Sequence, residues 1–222
     1  AYRRQRQMCI RDSIYKGPVI EWYIRIKVKM EQNYQLFNRL IPIKGQITDI
    51  GCGLGPLCYM LSMISKERQI VGIDYDEDKI AIAQHGWLRG ENLRFEHADA
   101  STCELPESDV FILNDMLHYM SYQHQHDLLV KCSALLRPGG MIIIRDGNTA
   151  DIHKHQLTRL TEVISTRIVN FNRTREALCF TSETQIQSIA RECGMETRTV
   201  RNDRYTSNTI YILKKSNDHE QV

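Results

Sequence analysis

The chain has 222 residues, 42% of them hydrophobic and 25% charged, with a formal charge of +2. That composition suits one water-soluble domain with a sizeable core and excludes a global electrostatic drive toward nucleic acid. The cations are uneven: Arg3, Arg4, Arg6, Arg11, Lys16, Arg25, Lys27 and Lys29 face only Asp12 and Glu21 in the first thirty residues, which predicts a basic arm or helix face.

The seven cysteines include no C-x-x-C pair, the pattern of reduced thiols in a cytoplasmic protein. No run reaches the ~18 apolar residues of a membrane span, and no signal peptide pattern is seen. Because it starts at Ala1, the chain is read as carrying a tag remnant or as a cut within a longer protein.

In chain order, Gly17-Pro18 has the form of a helix start while residues 24–30 alternate as a strand would; the front is read as a cap helix. Strands are predicted over 47–50, 70–73, 93–97, 110–113 and 141–144. Between them apolar residues recur at helical spacing: Leu57, Met60, Leu61 and Ile64, then Ile80, Ala83, Trp87 and Leu88, then Leu128, Cys132, Leu135 and Leu136. With right-handed crossovers this alternation gives an α/β protein, a Rossmann-like doubly wound sheet that is mostly parallel. A helix over 182–193 closed by Gly194 precedes strands over 196–200 and 209–213, whose short polar link requires an antiparallel C-terminal hairpin.

The first predicted strand runs into Gly51-Cys52-Gly53-Leu54-Gly55. A dinucleotide fingerprint G-x-G-x-x-G would need glycine at position 56, where Pro56 stands, so a nicotinamide oxidoreductase is disfavoured. Asp74 ends the next strand, where an acid suits a ribose diol in several cofactor classes. His97-Ala98-Asp99-Ala100 follows the third strand, Asn114-Asp115-Met116-Leu117-His118-Tyr119 the fourth, and Arg137-Pro138-Gly139-Gly140 leads into the fifth.

In this order, over residues 46–146, these segments resemble the class I S-adenosylmethionine-dependent methyltransferases. The resemblance implies S-adenosyl-L-methionine as cofactor. Asp49, Gly51, Cys52, Gly53 and Gly55 would wrap its methionine half, and Asp74 with Tyr75 would meet its ribose. Asp99 and the Ala100 amide would take its adenine, and Asn114 and Asp115 would pass beside its sulfonium. It implies a methyltransferase domain over 41–222, preceded by a basic segment and cap helix over 1–40. The stretch 15–23 is also similar to bacterial methyltransferase domains joined to a lysophospholipid-type acyltransferase and lipid exporter, linked to aryl-polyene or flexirubin-like pathways. That likeness implies a parent chain with an acyltransferase, working at the inner face of the membrane.

Methyl transfer asks mainly for alignment and exclusion of water. An oxygen or carbon nucleophile gains from a general base, and His118 is placed for it by family geometry; a helix-start histidine is the alternative. Asp115, Asp146 and Asn148 could ligate Mg²⁺, but strand-end acids commonly cap helices, and no metal is expected. His124 and His126, like His153 and His155, read as solvated surface. Tyr15, Trp22, Tyr23 and Tyr34 are lid or core. Residues 151–180 mix apolar side chains with arginines, suiting a small-molecule, lipid-like or acyl-carrier-bound acceptor. The competing readings are a nucleic-acid or protein methyltransferase, which lacks its usual Asn/Asp-Pro-Pro-Tyr/Phe motif here, and a non-catalytic S-adenosylmethionine-binding module of a larger protein.

Overall fold

A computed structural model describes residues 33–86, 90–147, 179–201 and 208–215. The basic front, Tyr15, Trp22, Tyr23, Trp87, Leu88, Asn148, His153, His155 and most of 151–180 therefore lie outside the described residues. The elements are α1 (Asn33–Leu40), β1 (Gly45–Ile50), α2 (Pro56–Ile64), β2 (Arg68–Asp74), α3 (Glu77–Gln84), β3 (Leu93–His97), β4 (Ser108–Asn114), a 3-10 turn (Leu117–Tyr119), α4 (Tyr122–Ala134), β5 (Leu136–Gly147), α5 (Glu183–Glu192), β6 (Met195–Arg201) and β7 (Asn208–Lys215). The seven strands form one sheet in the order β3-β2-β1-β4-β5-β7-β6, mostly parallel with an antiparallel hairpin and flanked by helices. This is the predicted Rossmann-like class. The described residues divide into two compact units, one running through Ile112 with Leu135–Arg137, the other holding Leu113–Ala134 and the residues from Pro138 onward.

In the first unit β1 pairs with β2 in parallel from Gly45 opposite Arg68 to Ile50 opposite Ile73, and β2 pairs likewise with β3. The order runs β3-β2-β1 and resumes at β4 beside β1, so the winding reverses at β1, and in such sheets the loops after strand carboxyl ends hold ligands. Pro56 starts α2, where its missing N–H costs nothing. Its buried residues are Leu57, Cys58, Tyr59, Leu61 and Ser62, whereas Met60 is half-buried and Ile64 exposed. The predicted stripe is thus displaced, because Ile64 is the helix's last residue and sits at its rim. Arg68 is wholly buried and donates to the carbonyls of Ile41 (2.9 Å) and Pro42 (2.8 Å) and to Asn38 Oδ1 (2.8 Å). A cation there satisfies carbonyls at the end of α1, although burial lowers its pKa. Tyr34, Phe37 and Ile41 of this anchored region are buried, which makes Tyr34 a core residue.

In the second unit β5 and β7 pair antiparallel, as do β6 and β7, from Val200 opposite Ile210 to Met195 opposite Lys215. Ser182 and Gln185 form a reciprocal capping box at the start of α5, and Gly194 closes it at φ 64°. The predicted continuation of α4 through Leu135 and Leu136 does not occur: the helix stops at Ala134 and Leu136 opens β5. Pro138 is the reason, since it denies a helix its hydrogen bond and disfavours helical backbone before it.

Candidate functional site

Two constellations stand at the predicted positions, one in each unit. In the first, Gly51, Gly53 and Gly55 all have positive φ (72°, 57° and 75°). Among the described residues a Cβ on Gly53 would meet nothing within 4 Å, whereas one on Gly55 would lie 2.4 Å from the Phe95 ring. Gly53 therefore leaves an open cradle, and Gly55 lets the turn close on a packed aromatic. The Gly51 and Cys52 amides donate to Ile73 O at 2.8 and 3.0 Å. Asp74, buried, accepts the Gly53 amide on Oδ2 at 2.7 Å and the Asp76 amide on Oδ1 at 3.0 Å. The acid assigned to a ribose is thus also the clasp of the glycine turn, a role the strand-end position alone did not reveal.

Asp49 lies buried beneath the turn and accepts from the Cys58 thiol at 3.1 Å. Burial pushes both the Cys52 and Cys58 thiols up, so they stay neutral beside Asp49 and Asp74. The loops after β2 and β3 are stitched by Ala98 N–H to Asp74 O (3.1 Å) and by a His97 Nε2 contact to Tyr75 O (3.0 Å). Tyr75 is half-exposed. Asp99 is exposed, its Oδ1 accepting from the Ser101 amide (2.9 Å) and hydroxyl (2.6 Å), while Ala100 is buried.

The second constellation centres on His118, in the 3-10 turn and 7% exposed. Asp146, near the end of β5 and 2% exposed, grips it twice: Oδ1 lies 2.6 Å from Nδ1 and Oδ2 accepts the His118 amide at 3.1 Å. A carboxylate on Nδ1 fixes the proton there and makes Nε2 the basic nitrogen of the neutral ring. Phe180 stacks on the imidazole (centroids 5.1 Å, 19°) and Tyr119 lies tilted against it (4.1 Å). Asp146 entered the sequence reading only as a candidate metal donor, and Phe180 only as the end of the segment 151–180 that mixes apolar side chains with arginines.

Asn114 and Asp115 belong to this second unit. Arg145, buried, donates through Nη1 to Asn114 Oδ1 (3.3 Å) and to Asp115 Oδ2, and its carbonyl accepts the Asp115 amide at 2.8 Å. Asp115 has φ 54°, the one positive value outside glycine among the described residues, and this double hold from Arg145 opposes the strain of that backbone. Both carboxylates considered for a metal are therefore bound to cationic or imidazole partners. His124 is exposed, and His126 bridges Asp127 (3.2 Å) and Glu192 (3.1 Å). Among the described residues no helix is long and apolar enough to cross a membrane.

Residues 47–140 match a family described as a methyltransferase domain. The chain is 23% identical over 120 residues to the carboxy-S-adenosyl-L-methionine synthase of Campylobacter concisus, covering 54% of this chain and 51% of that protein. It is 32% identical over 104 residues to the ubiquinone biosynthesis O-methyltransferase of Roseobacter denitrificans, covering 45% and 40%. The chain spans about half the length of the curated relatives it matches. Among solved structures, magnesium protoporphyrin IX methyltransferase from Synechocystis PCC 6803 with bound S-adenosylhomocysteine shares the fold at a TM-score of 0.62 and 16% identity, covering 90% of this chain and 89% of that one.

Proposed function

We propose that this chain, which carries a class I methyltransferase domain, transfers a methyl group from S-adenosyl-L-methionine to a small-molecule, lipid-like or carrier-bound acceptor. The observation that carries the reading is the clasped turn of the first unit: left-handed glycines, an open cradle at Gly53 and a buried carboxylate at the neighbouring strand end. That donor set fits the cofactor. A carboxylate offers about four acceptor positions, so Asp74 can hold Gly53 and Asp76 and still receive ribose hydroxyls. Asp99 and the Ala100 amide are the adenine partners, Tyr75 lies at the exposed rim of the same loops, and Asn114 and Asp115 are assigned to the sulfonium side.

Bound S-adenosylmethionine supplies a methyl carbon activated by positively charged sulfur. His118 receives the proton of the acceptor's hydroxyl on Nε2. Asp146 orients the ring and offsets the charge of the imidazolium that forms. Phe180 and Tyr119 keep water from the ring faces, which strengthens the His118–Asp146 interaction. The curated relatives are named for small molecules, which supports an acceptor of that size. The basic front and the Arg-bearing segment support an anionic setting, either a carrier protein or the inner face of a membrane beside an acyltransferase of the parent chain.

Calorimetry tests the cofactor assignment. S-adenosylmethionine and S-adenosylhomocysteine should bind and NADH should not. Asp74→Asn should weaken binding by about 1.5–3 kcal/mol, the value of charge-assisted hydrogen bonds. An unchanged affinity in that variant would remove Asp74 from the site.

A further inference from the structure

Gln125, on α4, is 1% exposed and is fully engaged. Its Nε2 turns two hydrogens toward three carbonyls, those of Leu117 (3.0 Å), Met120 (2.9 Å) and Cys179 (2.7 Å), one hydrogen being shared, and its Oε1 accepts from the Thr181 hydroxyl. Two of those carbonyls bracket the turn that carries His118. The other two partners bracket Phe180, the ring stacked on His118. The Cys179 amide returns to His118 O at 2.9 Å, and the exposed Tyr122 hydroxyl reaches Phe180 O at 3.4 Å. Residues 179–181 lie in no helix or strand, so no ladder holds them against the turn, and these polar ties and the ring stack do so instead.

We propose that Gln125 is a positioning residue that latches the segment 179–181 to the His118 turn, holding Phe180 on the imidazole so that the ring is fixed and shielded from water. The latch has two halves: the amide ties both backbones, and Thr181 closes the ring of bonds. Apolar packing alone would tolerate a methionine at 125 or a valine at 181. A buried hub of this kind does not, because its loss removes a hydrogen bond from several buried groups at once. The functional meaning rests on His118 as the base, but the latch itself can be read without an acceptor.

The full chain is labelled uniformly with ¹⁵N, and two protons are followed by NMR exchange with water: the His118 Nδ1–H held by Asp146 and the Cys179 amide. Gln125→Met and Thr181→Val should speed both by about fivefold or more, the factor represented by one lost hydrogen bond. Thr181→Ser, which keeps the hydroxyl, should exchange as the wild type does. Wild-type exchange in a folded Gln125→Met or Thr181→Val protein would overturn the latch. Should Gln125→Met not fold, the two Thr181 variants decide. Retained methyl transfer in His118→Gln would sink the base assignment separately, leaving the exchange rates to judge the latch.

Discussion

Around residues 51–55 the chain makes its site out of backbone: three left-handed glycines, amides turned onto Ile73 O and one carboxylate clasping the turn. Around His118 it makes one out of side chains drawn from the 3-10 turn, β5, α4 and the segment 179–181. The first is local, so its conformation depends on which residues lack a Cβ. The second is assembled from distant sequence positions, so it depends on paired polar groups being buried together. Damage should follow that division: steric in one region, electrostatic and kinetic in the other.

The largest effect is expected at the glycine turn. Gly55→Ala combines a left-handed alanine, about 1–2 kcal/mol, with a Cβ 2.4 Å from Phe95, overpacking worth about 1–3 kcal/mol more. The Phe95 ring is itself packed on Tyr59 at 5.4 Å between centroids, so it has little room to retreat. Gly53→Ala shares the backbone cost but meets no described atom within 4 Å, so its stability loss should stay at about 1–2 kcal/mol, while affinity for S-adenosylhomocysteine should fall. Urea unfolding and S-adenosylhomocysteine calorimetry on both variants separate the two costs. Equal stability losses would mean that Phe95 does not define the turn.

In the His118 region the comparison sharpens with Asp146→Asn. An amide at 146 preserves shape but stabilises the wrong tautomer of the ring, and methyl transfer should fall by about 10²-fold or more. Affinity for S-adenosylhomocysteine should stay near wild type, because the clasped turn lies elsewhere in the chain. Transfer is measured with a hydroxylated acceptor, whose proton the base must take. Full turnover with asparagine at 146 would reduce the His118 pair to a packing device.

What the sequence made legible follows the same division. Strands alternating with helices and glycines at 51, 53 and 55 are local signals, and each marks a real feature. The hairpin followed from a short polar link between two alternating runs. The pairing of His118 with Asp146 spans 28 residues of separation, and no spacing rule announces it. A strand-end acid next to a loop histidine could have suggested it once adjacent strands were placed side by side. Gln125 carries no mark of its own in the sequence, lying between His124 and His126, which read as solvated surface, and only burial distinguishes it. The α4 boundary failed for a simpler reason: Leu135 and Leu136 keep the helical period, although the helix has already ended at Ala134 ahead of Pro138.

The smallest effect is expected from His126, which joins α4 to α5 through Glu192 and also contacts Asp127 on its own helix. The carboxylates of Glu192 and Asp127, in that order, raise the His126 pKa above its ordinary value, and His126 in turn lowers that of Asp127. A histidine whose folded pKa is raised contributes stability that is fully present below its unfolded value, near about 6.5, and lost as pH rises through the folded value. The acid side has the opposite sign: Asp127's contribution is present above about 3.9 and lost as pH falls through its lowered value. The pair should therefore stabilise most near about pH 5, between these limits, and weakly, since exposed ion pairs are screened. The melting temperature of wild type minus that of His126→Gln should be positive at about pH 5, shrink in high salt and decline as pH rises above about 6.5. A difference that stayed constant across that range would show that the ring matters through its packing between α4 and α5, and that its charge does not clamp them.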